Sequence, residues 1–275
     1  MDFGLTDLVK GVKTFFIVPD VSVFPENHLK SFFMRGYETY FLHAEPEKDL
    51  EAQIHALFSL FPEVILFFNI DHEVPGIDWP LFIDELQTRY AERAMIGVIY
   101  RKRDETAEVK TLERLYLYDI GIMCGCVHIE NQKAKNLFLL LNVLTANQAN
   151  GQRKFIRASC DDSCTLTLSF GGIPFSASVR DISVNCFSCV FDENLLDIPL
   201  PTKCPELSLQ LKGFACKIDG VFALKRVVGT DTVYVCIFRN PEDQEGLPAE
   251  SLVQINNYIF QTLSGSIKGL LERNC

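Results

Sequence analysis

The sequence predicts an α/β domain built on a parallel sheet, followed by an all-β small barrel with a C-terminal helix. Three observations carry this. Residues 12–148 alternate apolar strand-like runs with helically spaced apolar residues five times, the pattern of a parallel sheet with helices on both faces. The segment Ala146-Asn147-Gln148-Ala149-Asn150-Gly151-Gln152 is small and polar. Beyond it the apolar period shortens to two, as in half-buried strands. The expected domains are 1–148 and 152–275, and 275 residues are enough for two domains of ordinary size.

In the first domain, Lys13-Thr14-Phe15-Phe16-Ile17-Val18 reads as a strand stopped by Pro19-Asp20. Residues 27–36 carry Leu29, Phe32 and Phe33 at helical spacing and end on a glycine. Residues 38–42 give a second strand, and residues 49–61 a helix with Leu50, Ile54, Leu57 and Leu60 on one face. Residues 64–70 are continuously apolar, as in a strand buried on both sides. A helix over 79–90, a strand over 94–100, a helix over 105–118, a strand over 121–128 and an apolar helix over 131–147 complete the alternation.

In the second domain, Cys164, Leu166, Leu168 and Phe170 alternate with polar residues, Gly171-Gly172 turns the chain, and Phe175, Ala177 and Val179 carry the return strand. Paired glycines accept the positive φ such a turn needs. Further strands are expected over 186–191, 207–211, 214–218, 222–228 and 233–238. Many short strands of this kind suit a small barrel. Residues 251–272 form an amphipathic helix through Leu252, Ile255, Ile259, Leu263, Ile267 and Leu270.

The net charge of −10 argues against general nucleic-acid or membrane-surface binding. The imbalance sits mainly in residues 1–150, at −8, against −2 for residues 151–275, so a cationic spot is easier to sustain in the second half. No apolar run approaches the roughly 20 residues of a membrane span, and Met1-Asp2-Phe3-Gly4 lacks the basic-then-apolar order of an export signal. A cytoplasmic location is expected, and with it the ten cysteines as free thiols. All five histidines lie at or before His128 and eight cysteines at or after Cys160, so a mixed zinc site would have to bridge the halves. No metal is expected.

Two short patterns carry chemistry. Arg153-Lys154-Phe155-Ile156-Arg157 places two arginines four residues apart before the first barrel strand, and Asp181-Ile182-Ser183 closes the second. Guanidinium forks pair with phosphate or with the O6/N7 edge of guanine. A carboxylate accepts from the guanine N1/N2 edge or holds an arginine in place, and a serine hydroxyl can donate to phosphate. In this order, R-x-x-x-R and then D-x-S-x-x-G, residues 152–275 resemble a PilZ domain, a family of cyclic di-GMP receptors. Cys186 stands where that pattern has glycine. The resemblance implies that Arg153 and Arg157 grip phosphate and guanine, and that Asp181 and Ser183 take the other base edge and the backbone. Arg180 and Lys154 are at most helpers.

Residues 12–148 resemble a response-regulator receiver. Val74-Pro75-Gly76-Ile77-Asp78 is similar to the segment after a receiver's phospho-acceptor strand, with Asp71 four residues before Pro75. The resemblance makes Asp71 the weak candidate phospho-acceptor. On this alignment the 64–70 strand runs about three residues too long. Pro19-Asp20 supplies one acid where receivers hold magnesium with a pair, Tyr100 or Arg101 replaces the Thr/Ser after the fourth strand, and His128-Ile129-Glu130 replaces the Lys-Pro after the fifth. No glycine-rich phosphate loop follows the first strand. His43, His55 and His72 stand apart from any nucleophile motif, and no catalytic constellation or cofactor is expected.

The expected protein is a non-enzymatic cyclic di-GMP-binding signalling adaptor. It would pass its signal to an unidentified signalling protein, without binding DNA or RNA and without membrane insertion. Binding is expected to order residues 150–157 and reorient the domains. The alternatives are a PilZ-like interaction module that no longer binds nucleotide, and a phospho-regulated receiver protein.

Overall fold

The structure is a computed structural model that describes residues 8, 10–91, 93–101, 106–151, 154–192, 198–240, 242 and 244–275, with Phe170 described by its backbone alone. The chain divides into two compact units, Met1–Lys154 with Ser266–Cys275, and Phe155–Gly265.

The first unit is built on β1 (Lys13–Ile17), β2 (Thr39–Leu42), β3 (Val64–Asn69), β4 (Ala94–Arg101) and β5 (Cys126–Ile129). All are parallel, in the order β2-β1-β3-β4-β5. The order reverses at β1, which opens a crevice at the carboxyl ends of β1 and β3. β1 and β3 are buried at every position, which is why their sequences are almost unbroken apolar runs. Lys13 is buried in β1 because its ammonium donates to Glu38 Oε2 at 2.6 Å and Lys10 O at 2.7 Å, while Tyr40 Oη donates to Glu38 Oε1 at 2.6 Å.

The helices are α1 (Asn27–Phe33), α2 (Leu50–Leu60), α3 (Trp79–Arg89), α4 (Thr106–Arg114) and α5 (Lys133–Ala146). α2 and α3 begin where Asp49 and Asp78 accept from the backbone N–H of Ala52 and Leu81, at 3.0 and 3.2 Å. The first unit departs from expectation at two places. The helix over 105–118 widens after α4 into a π-helical stretch, Leu115–Ile120, with the Gly121 N–H reaching Tyr116 O at 3.0 Å. The strand expected over 121–128 shortens to β5, because Gly121 and Gly125 both take positive φ and make 121–125 a loop.

The second unit contains β6 (Arg157–Ser159), β7 (Thr165–Phe170), β8 (Ile173–Ser183), β9 (Cys186–Phe191), β10 (Thr202–Leu211), β11 (Phe214–Val228) and β12 (Asp231–Arg239). The order β8-β7-β10-β11-β12-β9 closes when β9 pairs back onto β8, giving a six-stranded antiparallel barrel with β6 added along β8. Closure leaves no open edge in the ring. Gly171 and Gly172 form the β7–β8 turn with φ of 61° and 80°, as a two-residue hairpin requires. Phe187 packs on Phe238 at 5.6 Å and edge-on to Phe222 at 6.5 Å in the interior.

The strands expected over 214–218 and 222–228 are one strand, β11, with an irregularity between Phe222 and Leu224. Asp219-Gly220 has a turn-like sequence, but a Cβ on Gly220 would lie 2.4 Å from Cys236 Sγ. That glycine serves close strand packing instead. The last helix, α6 (Ala249–Asn274), buries Ile255, Ile259, Leu263, Ile267 and Leu270 as its pattern demands. Tyr258 Oη on this helix lies 3.2 Å from Cys164 Sγ. All ten cysteines are free thiols. Cys186 and Cys189 lie three apart on β9, an odd spacing that turns them to opposite faces of the strand. Among the described residues, no helix is long and apolar enough to cross a membrane.

Candidate ligand-binding site

Arg157 of the first pattern and Asp181 and Ser183 of the second meet on one face of the barrel unit. β6 runs antiparallel to β8 with Arg157 opposite Ser183 and Ser159 opposite Asp181. β9 continues on the other side of β8, with Asp181 opposite Ser188. Directly paired residues share a face, as do residues two apart along a strand. Arg157, Ser159, Asp181, Ser183, Cys186 and Ser188 therefore belong to a single patch.

Within the patch, Arg157 Nη1 stands 3.8 Å from Asp181 Oδ1, and its Nη2 donates weakly to Cys186 Sγ at 4.0 Å. The side chains of Arg157 and Asp181 are 45% and 27% exposed. Both are reachable from solvent, and at 3.8 Å the guanidinium is beyond a good hydrogen bond. The other carboxylate oxygen, Asp181 Oδ2, accepts from Ser188 Oγ at 2.5 Å.

Ser183 has a different setting. It is buried, its hydroxyl donates to Cys186 O at 3.0 Å, and its oxygen accepts from the N–H groups of Asn185 and Cys186 at 3.3 and 3.1 Å. Its hydrogen-bonding capacity is spent on holding the β8–β9 turn. Cys186, at the motif's glycine position, has ordinary strand backbone without positive φ. The exchange of glycine for cysteine therefore carries no left-handed strain, although its thiol lies 3.5 Å from Ser183 Oγ. Arg180 is paired with Asp231. Arg153 lies outside the described residues.

Ser188 is the residue that the motifs did not reveal. A two-residue turn at Val184-Asn185 sets Asp181 opposite Ser188, so counting back across that turn would have found it.

The crevice of the first unit holds a second acid–arginine cluster. Asp20 follows β1, and its Oδ2 accepts from Arg101 Nε at 3.1 Å and also from Arg101 Nη2. Asp20 Oδ1 accepts from Ser22 Oγ at 2.5 Å. Burial pushes the Asp20 carboxyl up, but the Ser22 and Arg101 hydrogen bonds outweigh it and leave it below its ordinary value. Asp71 is exposed two residues beyond the end of β3, where its Oδ2 accepts from the Arg101 backbone N–H at 2.5 Å. The last position of β3 itself is Asn69, a buried amide that donates to Val18 O at 3.0 Å.

The receiver resemblance implies magnesium here, a cation that wants several oxygen ligands. These residues do not fit it. A guanidinium already occupies Asp20, Asn69 contributes no charge, and Asp71 lies past the strand end. Among the described residues, no group of three or more His, Cys, Asp or Glu side chains is placed to hold a metal ion.

No protein-family model matches the chain, and no curated protein matches it. Solved structures do align with part of it. YcgR from Escherichia coli in complex with cyclic di-GMP matches at 11% identity over 45% of this chain and 50% of its own, with a TM-score of 0.38. The PilZ domain of YcgR with cyclic di-GMP matches at 10% identity over 43% of this chain and 96% of its own, with a TM-score of 0.35. The MrkH–cyclic di-GMP complex from K. pneumonia matches at 13% identity over 43% of this chain and 55% of its own, with a TM-score of 0.37. The alignments with YcgR and MrkH thus span about half the length of those proteins.

Proposed function

We propose that the barrel unit binds cyclic di-GMP and that the chain is a non-enzymatic signalling adaptor, passing its signal on through contacts with a signalling protein. One observation carries the reading: an exposed Arg157 guanidinium set 3.8 Å from an oriented Asp181 carboxylate, on the face where β6 pairs with β8. The ligand is that of the family the motif order resembles, and the chemistry suits it. Arg157 offers a planar fork to guanine O6/N7 or to a phosphate. Asp181 Oδ1 can accept from a guanine N1/N2 edge. Arg153, four residues before Arg157, is the second cationic arm. Ser183 serves the site by fixing the turn.

Calorimetric titration of cyclic di-GMP onto the full chain tests this. Saturable binding is expected, lost in both Arg153→Ala and Arg157→Ala. Unchanged affinity in both variants would sink the assignment.

A second reading is favoured by the thiol of Cys186 against the Arg157 guanidinium. On that reading the patch is a docking surface that no longer takes nucleotide. A ligand specific for the native state raises the melting temperature, so a thermal shift with cyclic di-GMP supports the first reading and an unchanged melting temperature the second.

A further inference from the structure

We infer that Ser188 is a positioning residue of the barrel site, holding Asp181 so that one carboxylate oxygen stays directed at Arg157 and at the base edge presented there. This rests on the ligand reading above and adds a residue that the D-x-S pattern does not contain.

Ser188 is 3% exposed and lies in a strand paired on both sides, opposite Asp181 on β8 and Val235 on β12. Its backbone is therefore fixed, and water does not compete for its hydroxyl. That hydroxyl has one proton, and it goes to Asp181 Oδ2 at 2.5 Å. A short hydrogen bond to a charged acceptor is among the stronger ones.

One consequence follows. Rotation of the carboxylate about its last torsion is blocked, which leaves Oδ1 on the Arg157 side. Removing the serine hydroxyl frees the carboxylate to turn, so that neither oxygen stays directed at the base edge. Ser188 thus acts on the ligand through Asp181, without touching it.

The test is calorimetry with cyclic di-GMP on the full-length wild type, Ser188→Ala, Asp181→Ala and the double variant, with melting temperatures alongside. Ser188→Ala should bind about tenfold more weakly, the scale of one lost hydrogen bond to a charged group, while still melting cooperatively. In the Asp181→Ala background the same substitution should have no further effect, because the group it positions is gone. Equal effects in both backgrounds would mean a role in the barrel's packing alone and would overturn the inference. So would wild-type affinity in Ser188→Ala, which would leave the ligand reading standing. No binding by wild type would overturn both.

Discussion

The chain builds the same three-part cluster twice, from a serine, an aspartate and an arginine, and uses it in opposite ways. In the α/β crevice, Ser22 holds one oxygen of Asp20 while Arg101 places two nitrogens on the other. In the barrel, Ser188 holds one oxygen of Asp181 while Arg157 stops 3.8 Å short of the other. The serine does not decide the difference, since both clusters have one. Arg101 is pinned by its backbone, whose N–H is tied to Asp71 at the end of β4. Arg157 opens a three-residue strand opposite Ser183, and its guanidinium stands 3.8 Å from Asp181 and 4.0 Å from the Cys186 thiol. A satisfied arginine closes a site, whereas one held loosely beside an oriented carboxylate is available to a ligand.

The contrast is sharpest under Arg→Lys exchange, which keeps charge but loses the fork. Arg157→Lys should weaken cyclic di-GMP binding by about 30-fold, the scale of truncating one partner of a charged contact, as read by calorimetry. Arg101→Lys should leave that affinity unchanged. Loss of binding in Arg101→Lys would mean that the crevice takes part in ligand capture.

Stability separates the clusters next. The Asp20 carboxyl titrates below its ordinary value of 3.8. Its contribution is therefore present above that value and is lost as the pH falls through the folded-state value. Asp20→Asn should flatten the fall of melting temperature with acid in that window. The loss at neutral pH should be about 1 kcal/mol or less, since the Arg101 side chain is half exposed. A variant with an unaltered acid profile would show that Arg101 contributes nothing to Asp20.

Magnesium should leave the melting temperature of the wild type unchanged, and a small phosphodonor should leave Asp71 unlabelled. Magnesium-dependent labelling would show that Arg101 moves aside. The smallest expected effect is at Cys186. Cys186→Gly removes the thiol from beside the Arg157 guanidinium and should strengthen nucleotide binding a few-fold, whereas weaker binding would make the thiol part of the site.

The architecture was legible because period and burial agree along most of the chain. Continuous apolar runs became the buried strands β1 and β3, and alternation became the barrel. Expectations failed where glycine had two meanings. Gly220 packs inside a strand against Cys236 instead of turning the chain, and Gly121 and Gly125 turn it where a strand was expected. Arg157 and Asp181 were visible as motif residues, but Ser188 and the Arg101–Asp20 contact were not. Arg101 reaches Asp20 across 81 positions of sequence, a contact set by strand order and by no local pattern. Ser188 depends on hairpin register, which fixes the face of every residue once the turn is known. Asn69 ends β3 two residues before Asp71, and the four-residue spacing of Asp71 to Pro75 does not mark that end.

The most direct measurement is a calorimetric titration of cyclic di-GMP onto the full chain, with wild type, Arg101→Ala and Arg157→Ala run side by side. We expect saturable binding to wild type, the same affinity in Arg101→Ala, and none detectable in Arg157→Ala. Binding of equal strength in wild type and Arg157→Ala would contradict the assignment of the barrel face as the nucleotide site.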